Sequence, residues 1–572
     1  MAITAALVCL VSVAPSILAQ TVPLSPAQVT EEGLRRQEER TREQQQQIQP
    51  KADVLQPQAP IIVPTRLPVE QPCFVIQGVE LIGPDAVRFG WLADSASPYL
   101  GQCVGVAGLR HIAAALDAKL IELGYVTSRV TLPQQNLNDG ILTMQLHVGR
   151  VAQITMRKAE KDKPQDDGWG TWRNAFPVAE GDVLNVRDLE QGVEQMKRLP
   201  SQNVATELEP GANPDTSNVV ILRQSGTVWE HVRGGVTIDN SGSRTLGLTQ
   251  LSGYLSLDNL LGLNDIISIS ANTNAENLAA NHRSQSASFN YSIPWGYNTF
   301  SYSKSYSRFA QTVAGTTVQF LSSGTGVNDE IKWHRTVVRT SATKAGFYTA
   351  LATRRANSFL DDVELVVQRR RTSSVETGIT YKQLIGDASL DFELGYRHGV
   401  NWRDAQDDLP SSSSGGLTLR PDITILTGSF SKPFKIGSTP LQYSASIRAQ
   451  YTPDQTLSVD QIAIGNRFTV RGFDGDNVLL AESGYFIRND LSIPVKLMDN
   501  LVAVAYLGLD FGRVWGPSTA LLVGDKLAGT AVGLRGQWQQ LQFDLSLGAP
   551  IYKPVGFRTR SWSPYLSLTY AF

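Results

Sequence analysis

Leu441-Gln442-Tyr443-Ser444-Ala445-Ser446-Ile447-Arg448-Ala449-Gln450-Tyr451 alternates apolar and polar residues without a break. Successive side chains of a strand point to opposite faces, so this run has one greasy face and one wet face. The same period recurs through the second half of the chain. Leu390, Phe392, Leu394 and Tyr396 alternate with Asp391, Glu393, Gly395 and Arg397, and Leu541, Phe543, Leu545 and Leu547 with Gln542, Asp544 and Ser546. Similar runs lie at Thr249 to Leu257 and Gln285 to Ile293, with Gly, Asn, Asp and Ser clustered between runs. Two architectures accommodate such strands. In a soluble sandwich the apolar faces meet in a core. In a membrane barrel they face lipid and the polar faces line a wet lumen. The final run, Leu566, Leu568, Tyr570 and terminal Phe572 with Ser567, Thr569 and Ala571 between them, favours the barrel. Aromatics at strand ends suit the membrane–water boundary, and residues 227–572, at roughly 21 per strand and loop, give about sixteen strands. Every backbone donor in hydrocarbon needs a partner, so such a sheet must close on itself.

The start of the chain supports export. Ala2 to Ala14 are mostly small and apolar, and Ala19-Gln20 resembles a cleavage point, although no Lys or Arg follows Met1 and Ile17 is large. Residues 1–19 therefore read as a signal peptide. Cys9 would leave with it, so the mature chain carries Cys73 and Cys103, an even pair that predicts a disulfide in an oxidising compartment. Closing a loop of about 30 residues restricts the unfolded chain by roughly 3–4 kcal/mol. The formal charge of -2 gives no reason to expect nucleic-acid binding. The absence of a long apolar run after the N-terminus excludes a membrane-crossing helix but not a barrel.

Between these ends the grammar differs. Ser25 to Gln49 is polar and helix-prone: Ser25 can cap, Pro26 suits the first turn, and Glu, Gln and Arg dominate. A helix polar all round is not a core helix, so residues 20–49 are read either as disordered or as seated in a wet polar cavity. Residues 50–72 are proline-rich and read as an extended linker. Residues 73–149 form a small α/β unit. Phe74-Val75-Ile76 and Val79-Glu80-Leu81 predict a first strand, Leu109 to Leu123 a helix stopped by Gly124, and Tyr125-Val126-Thr127 and Ile141 to Leu146 further strands. Residues 150–226 repeat the order, with a strand at Val151 to Met156, a helix at Val186 to Leu199 and a closing strand at Val219 to Leu222. Two units of the same grammar read as tandem modules.

One segment of the second half is not periodic. From about Thr452 to Ser483 the chain reads as a long loop, and its centre is Val470-Arg471-Gly472-Phe473. Long loops in compact domains are usually functional or disordered. Gly472 permits a tight turn, Phe473 can wedge, and Arg471 can reach an acid. The candidate acid is Asp510. In Tyr506 to Gly512, Tyr506, Gly508, Asp510 and Gly512 share one face, opposite Leu507, Leu509 and Phe511, so the carboxylate is flanked by glycines that leave room for an approaching group. The plainer reading keeps Arg471 as a solvated loop cation and Asp510 as an ordinary polar strand residue.

Enzyme chemistry finds little support. The six histidines lack metal-ligand spacing, no G-x-S-x-G occurs, and no phosphate-binding Gly-rich loop is present, so neither catalytic residues nor a cofactor or metal is expected. Asp361-Asp362 and Arg369-Arg370-Arg371 read as rim charges, the latter also suited to lipopolysaccharide phosphates.

The order of parts resembles one family, the outer-membrane transporters of two-partner secretion (haemolysin secretion/activation proteins), within the superfamily of the Bam barrel insertase. The resemblance spans nearly the whole mature chain. It is carried by Cys73-Phe74-Val75-Ile76 with Cys103, Gly124 to Val130, Asn185 to Gln191 with Arg198-Leu199-Pro200, Asp239-Asn240-Ser241-Gly242, Asp258 to Asp265 and Val470 to Phe473. It implies a plug helix inside the barrel at 20–49, a linker at 50–72, periplasmic POTRA modules at 73–149 and 150–226, and a sixteen-stranded barrel at 227–572. It implies that Arg471 is tucked into the lumen against Asp510, with Gly472 and Phe473 shaping the tip. The expected activity moves one unfolded partner exoprotein, bound through the POTRA modules, from periplasm to cell surface without nucleotide. Insertion by the Bam machinery, contact with outer-membrane lipid and lipopolysaccharide, and a monomeric state are also expected. A barrel-assembly insertase is the alternative within the superfamily. A diffusion porin fits poorly with two periplasmic modules.

Overall fold

The computed structural model describes residue 55 and residues 63–158, 169–225, 228–276, 281–314, 319–498 and 501–572. The predicted signal peptide and the helix at Ser25 to Gln49 lie outside them. Sixteen long antiparallel strands among the described residues, from Val232–Asp239 to Ser563–Ala571, close into a barrel when the last pairs with the first. The predicted runs fall inside them, Leu441 to Tyr451 within Thr439–Tyr451 and Leu390 to Arg397 within Ala388–Val400. Leu507, Leu509, Leu545, Leu547 and Val532 are exposed on the outer face, whereas serine pairs such as Ser256–Ser268 and Ser270–Ser288 (Oγ–Oγ 2.7 Å each) meet inside. This is the greasy-out, wet-in order of a lipid-embedded barrel. At the end carrying the small modules the turns are mostly tight, as at Gly386 and Gly437. At the other end they lengthen, reaching their longest between Tyr451 and Ser483.

The first small unit stacks Gly78–Ile82, Ile141–His147 and Arg129–Thr131 against the helix Val106–Glu122. Ile112, Leu116 and Leu120, at helical spacing, bury against Leu142, Met144 and Leu146, at strand spacing. Two local expectations differ. The predicted first strand splits: Phe74–Val75 leaves the sheet to pair with Cys103–Val104, because Gln77 and Gly78 are turned toward the Gly140 carbonyl. Tyr125 to Thr127 is a turn, with the strand starting at Arg129. Gly124 at φ 94° swings the chain so that Tyr125 enters the core beside Phe89, and Ser128 N–H closes the turn on the Tyr125 carbonyl.

Cys73 and Cys103 are joined, with Cα atoms 5.3 Å apart. Thiol labelling of the unreduced protein is therefore expected to fail at both positions. The end of the proline-rich linker is not free chain. Both Glu70 carboxylate oxygens accept from the first backbone N–H groups of the Val106–Glu122 helix, Ala107 and Gly108 (2.8 Å each), which holds its carboxyl below the ordinary range. Tyr99 donates to the Pro64 carbonyl at 3.2 Å and Gln102 to the Thr65 carbonyl at 3.0 Å.

The second unit repeats the design with Arg150–Lys158, Thr216–Ser225, Gln202–Pro210 and the helix Val186–Lys197, capped by Asn185. Its helix packs a polar face on the barrel rim. Gln191 and Gln195 donate to the Gly296 carbonyl (3.3 and 3.0 Å), and Asn174 to the Pro294 carbonyl at 3.0 Å. Arg339, from a barrel strand, donates to Gln191 at 2.8 Å and Glu194 at 2.9 Å, and Lys344 also pairs with Glu194. Asp188 accepts from the Tyr297 hydroxyl, and burial raises its carboxyl above the ordinary range. Burial lowers the Arg198 guanidinium at this junction to about 10. Breaking a buried ion pair from one side costs about 3–5 kcal/mol. Arg339→Ala is therefore expected to loosen the module from the rim, read as faster protease cleavage near residue 226 with the barrel intact.

Candidate functional site

The long loop folds back into the barrel. It carries a small hairpin, Ile462–Ile464 paired with Leu479–Ala481, so it is more ordered than its lack of periodicity implies. The hairpin supplies a dry cluster inside a wet lumen. Ile462, Ile464, Val470, Phe473 and Leu479 pack with Val514, Leu527 and Phe557 from the barrel and a neighbouring loop. Phe473 is fully buried, edge-on to Phe557 at 5.7 Å. The cluster holds the tip that presents Arg471.

Arg471 meets Asp510 as a fork. Nε donates to Oδ2 at 2.6 Å and Nη2 to Oδ1 at 2.7 Å, and the Arg471 backbone N–H adds a third bond to Oδ2 at 2.9 Å. The side chains are 4% and 0% exposed, so the pair is dry. Planar bidentate pairing of this kind suits arginine and not lysine. A second carboxylate, Asp490, lies 2.7 Å from Nη2, and the Tyr506 ring stands 5.8 Å from the guanidinium. Arg535 completes the set, 4.7 Å from the same ring and 3.6 Å from Asp490.

Glycines make the slot. A Cβ on Gly508 would lie 2.5 Å from Arg471 Nη2, and one on Gly529 1.8 Å from the Arg471 carbonyl oxygen. Gly472 itself adopts φ 103°, and a Cβ there would strike the Ala549 carbonyl at 2.3 Å. The Gly472 N–H donates to the Tyr565 hydroxyl at 2.9 Å, and that hydroxyl donates to the Phe473 carbonyl at 2.8 Å.

These features, two tandem α/β modules of which the second sits on the rim of a sixteen-stranded barrel, and an arginine-tipped loop in the bore, have counterparts in known proteins. A model of the haemolysin secretion/activation proteins ShlB/FhaC/HecB matches residues 215–536, more than half of the chain. The chain belongs to the ShlB/FhaC/HecB family. POTRA models match residues 74–149, in the ShlB type, and 150–210. Among curated relatives of this ShlB/FhaC/HecB member, the outer membrane transporter CdiB-2 of Burkholderia pseudomallei is 35% identical over 525 residues, covering 88% of each chain. The haemolysin transporter HpmB of Proteus mirabilis is 26% identical over 491 residues, covering 85% of this chain and 83% of its own. The solved structure of CdiB from Escherichia coli superposes with a TM-score of 0.81 at 26% identity, covering 96% of this chain and 99% of that one. The protein is accordingly a two-partner secretion transporter of the Gram-negative outer membrane, with POTRA domains in the periplasm that bind a secreted exoprotein.

The predicted site residues Arg471, Gly472, Phe473 and Asp510 come together at one place, while Cys73 and Cys103 lie apart in the first POTRA domain. Sequence reasoning placed Tyr506 on the Asp510 face without giving it a role, and missed Asp490 and Tyr565. Asp490 had a signal: with Arg488 and Ser492 it forms the polar phase of Ser483–Met498, and the register sets it opposite Gly508, with Arg488 opposite Asp510. Tyr565 had none, since a tyrosine near a strand end reads as a boundary aromatic.

Proposed function

We propose that this transporter passes one unfolded exoprotein of the haemolysin, adhesin or contact-inhibition class through its lumen, and that the Arg471 loop is a lock the passage depends on. The observation carrying this reading is the dry bidentate pair of Arg471 with Asp510 inside an otherwise wet bore. Burying a charge pair is costly unless its geometry is good and its remaining groups are bonded, and here a backbone N–H, a second acid and an aromatic ring complete the set. A device of that cost holds one conformation of the loop.

In the same reading residues 1–19 are a signal peptide, 20–49 a plug helix, 50–72 its tether, 73–149 and 150–226 the two POTRA domains, and 227–572 the barrel. The partner adds as an extended strand to a POTRA sheet edge, for which the edge strand Gln202–Pro210 of the second module is the candidate, the other edge strand being covered over its first half by residues 180–183. No nucleotide or cofactor takes part, and folding of the cargo outside prevents its return. The barrel is inserted by the Bam machinery and works as a monomer in lipid. Arg370 and Arg371, at the outer rim, meet lipopolysaccharide phosphates.

Deleting the gene while following the exoprotein encoded beside it tests the reading. Loss of that protein from the surface, with other barrels intact, is the expected result. General loss of outer-membrane barrels would replace it with the insertase reading. Removing Thr21 to Gln49 is expected to raise ion conductance in planar bilayers. An unchanged conductance would mean that this segment does not occupy the lumen.

A further inference from the structure

One stretch of the barrel's outward face carries charge that its own acids do not balance. On the strand Thr343–Leu360 the odd-numbered residues face lipid, since Tyr348, Ala350 and Ala356 are buried on the lumen side. Trp333 and Phe347, edge-on at 5.2 Å, lie toward the periplasmic end of that face, and exposed Ile331 with its neighbour Leu351 continues it upward. Arg355 follows on the same face, eight residues beyond Phe347. On a strand tilted by about 40° that is roughly 20 Å of height, near the top of an apolar band about 25 Å tall.

The cross-strand neighbour of Arg355 is Arg371, and both side chains are exposed. Arg308 and Lys304, also exposed, flank Tyr306, which is level with Arg355 through Val327. Like charges directly opposite each other destabilise a sheet, and a cation on the lipid face adds a cost of its own. Carboxylates do not relieve it. Among the described residues of these four neighbouring strands, Asp329 is the one acid on the outward face. It is held by Lys304 at 3.2 Å and by the Tyr302 hydroxyl at 2.8 Å. Glu364, in the loop above, is forked by Arg369 at 2.9 and 2.7 Å. Arg308 Nε donates to a neutral side chain, Gln285, at 2.7 Å. Elsewhere on the outward face Arg513 has its own acid, Asp525, at 2.9 Å.

We propose that Arg355 and Arg371, with Arg308 beside them, form a binding site for the phosphates of lipid A, the anchor of lipopolysaccharide. Guanidinium forks match phosphate geometry, and an anion between Arg355 and Arg371 removes the repulsion that the sheet otherwise bears. The apolar rows below, through Ile331 and Leu351, face the acyl chains. The proposal rests on the reading that the outer rim meets lipopolysaccharide, and gives that contact a site on the barrel wall.

Titration of the full chain, refolded in lipopolysaccharide-free detergent micelles, with diphosphoryl lipid A tests this by calorimetry. Folded barrels are first verified by heat-modifiable migration. The double variant Arg355→Gln with Arg371→Gln is expected to bind at least tenfold more weakly, as loss of two charge-assisted bonds requires, and Arg308→Gln to lose less. Arg513→Gln, which removes an outward cation that already has an acid, is expected to bind as the unsubstituted chain does. Inorganic phosphate and phosphatidylglycerol are expected not to compete. Thermal unfolding separates a ligand site from a structural role. Without lipid A the double variant should melt no lower than the unsubstituted chain, because facing like charges are gone, and lipid A should raise its midpoint less. Equal binding by the double variant would overturn the site and leave the rim reading standing, whereas no binding by the unsubstituted chain would remove both. An equal loss in Arg513→Gln, competition by phosphatidylglycerol, or a double variant that melts lower without lipid A would each overturn the proposal. Should the double variant not fold, Arg371→Gln alone decides.

Discussion

Arg471→Ala is expected to abolish most secretion while the barrel still assembles in the outer membrane. The substitution leaves Asp510 and Asp490 facing each other with their shared cation gone, and Asp510 has no exposed surface through which water could replace it. Removing one partner of a buried ion pair costs about 3–5 kcal/mol. The barrel ladders do not involve the loop tip, so the loss falls on loop docking. Because 1.4 kcal/mol is a factor of ten, the docked population should fall by roughly a hundredfold or more. Asp510→Ala is expected to act alike, because it removes both bonds of the fork and the acceptor of the Arg471 backbone N–H and leaves the guanidinium with Asp490 alone as a carboxylate partner. Arg471→Lys should fall between, since an ammonium keeps the charge but cannot make the paired bonds to Asp510. Asp490→Asn should be milder, because Asp490 meets one nitrogen and Asp510 two. The measurement is the amount of exoprotein in the culture medium, normalised to folded barrel in the membrane. If Arg471→Ala and Asp510→Ala both secrete normally, the loop is not a lock.

How much of this was legible beforehand follows from what periodicity can carry. Alternation repeats every two residues, so Leu441 to Tyr451 or Leu541 to Leu547 announces a strand and assigns its faces without any knowledge of neighbours. The same count placed Asp510 inward and Leu509 outward, as the structure has them. Contacts that depend on where the chain returns are not local. Tyr565 reaches Gly472 across 93 positions, and no pattern within the last strand marks it. The hairpin Ile462–Ile464 with Leu479–Ala481 escaped because its strands are three residues each, too short to show a period. Tyr125 to Thr127 misled for the converse reason: aromatic and β-branched residues favour strands, but Tyr125 was needed in the core beside Phe89 and the chain turned to deliver it. The last residues of the linker read from their prolines only as extended chain. Their order comes from Glu70 capping a helix that begins 36 positions later.

Gly529→Ala should reproduce the secretion defect with one added methyl group, at a position without charge. Gly529 lies in the Lys526–Trp538 strand, at the step in its register with Leu541–Tyr552, and its φ is not in the left-handed region. Alanine is no worse than glycine in a strand interior, so barrel assembly should be unaffected. The new Cβ would lie 1.8 Å from the Arg471 carbonyl oxygen. Unlike the clash at Gly508, which meets the far end of a side chain, this one meets backbone and cannot be relieved by a rotamer. The tip must retreat by more than an ångström, enough to break the 2.6 and 2.7 Å fork to Asp510. Gly253→Ala is the matched control, since a Cβ there meets only the Gly235 carbonyl oxygen at 3.8 Å. Secretion is expected to fall in the first variant and hold in the second, at equal levels of folded protein. Equal secretion by both would show that the close fit of Arg471 into its glycine slot is not what transport requires, even if the charge pair is.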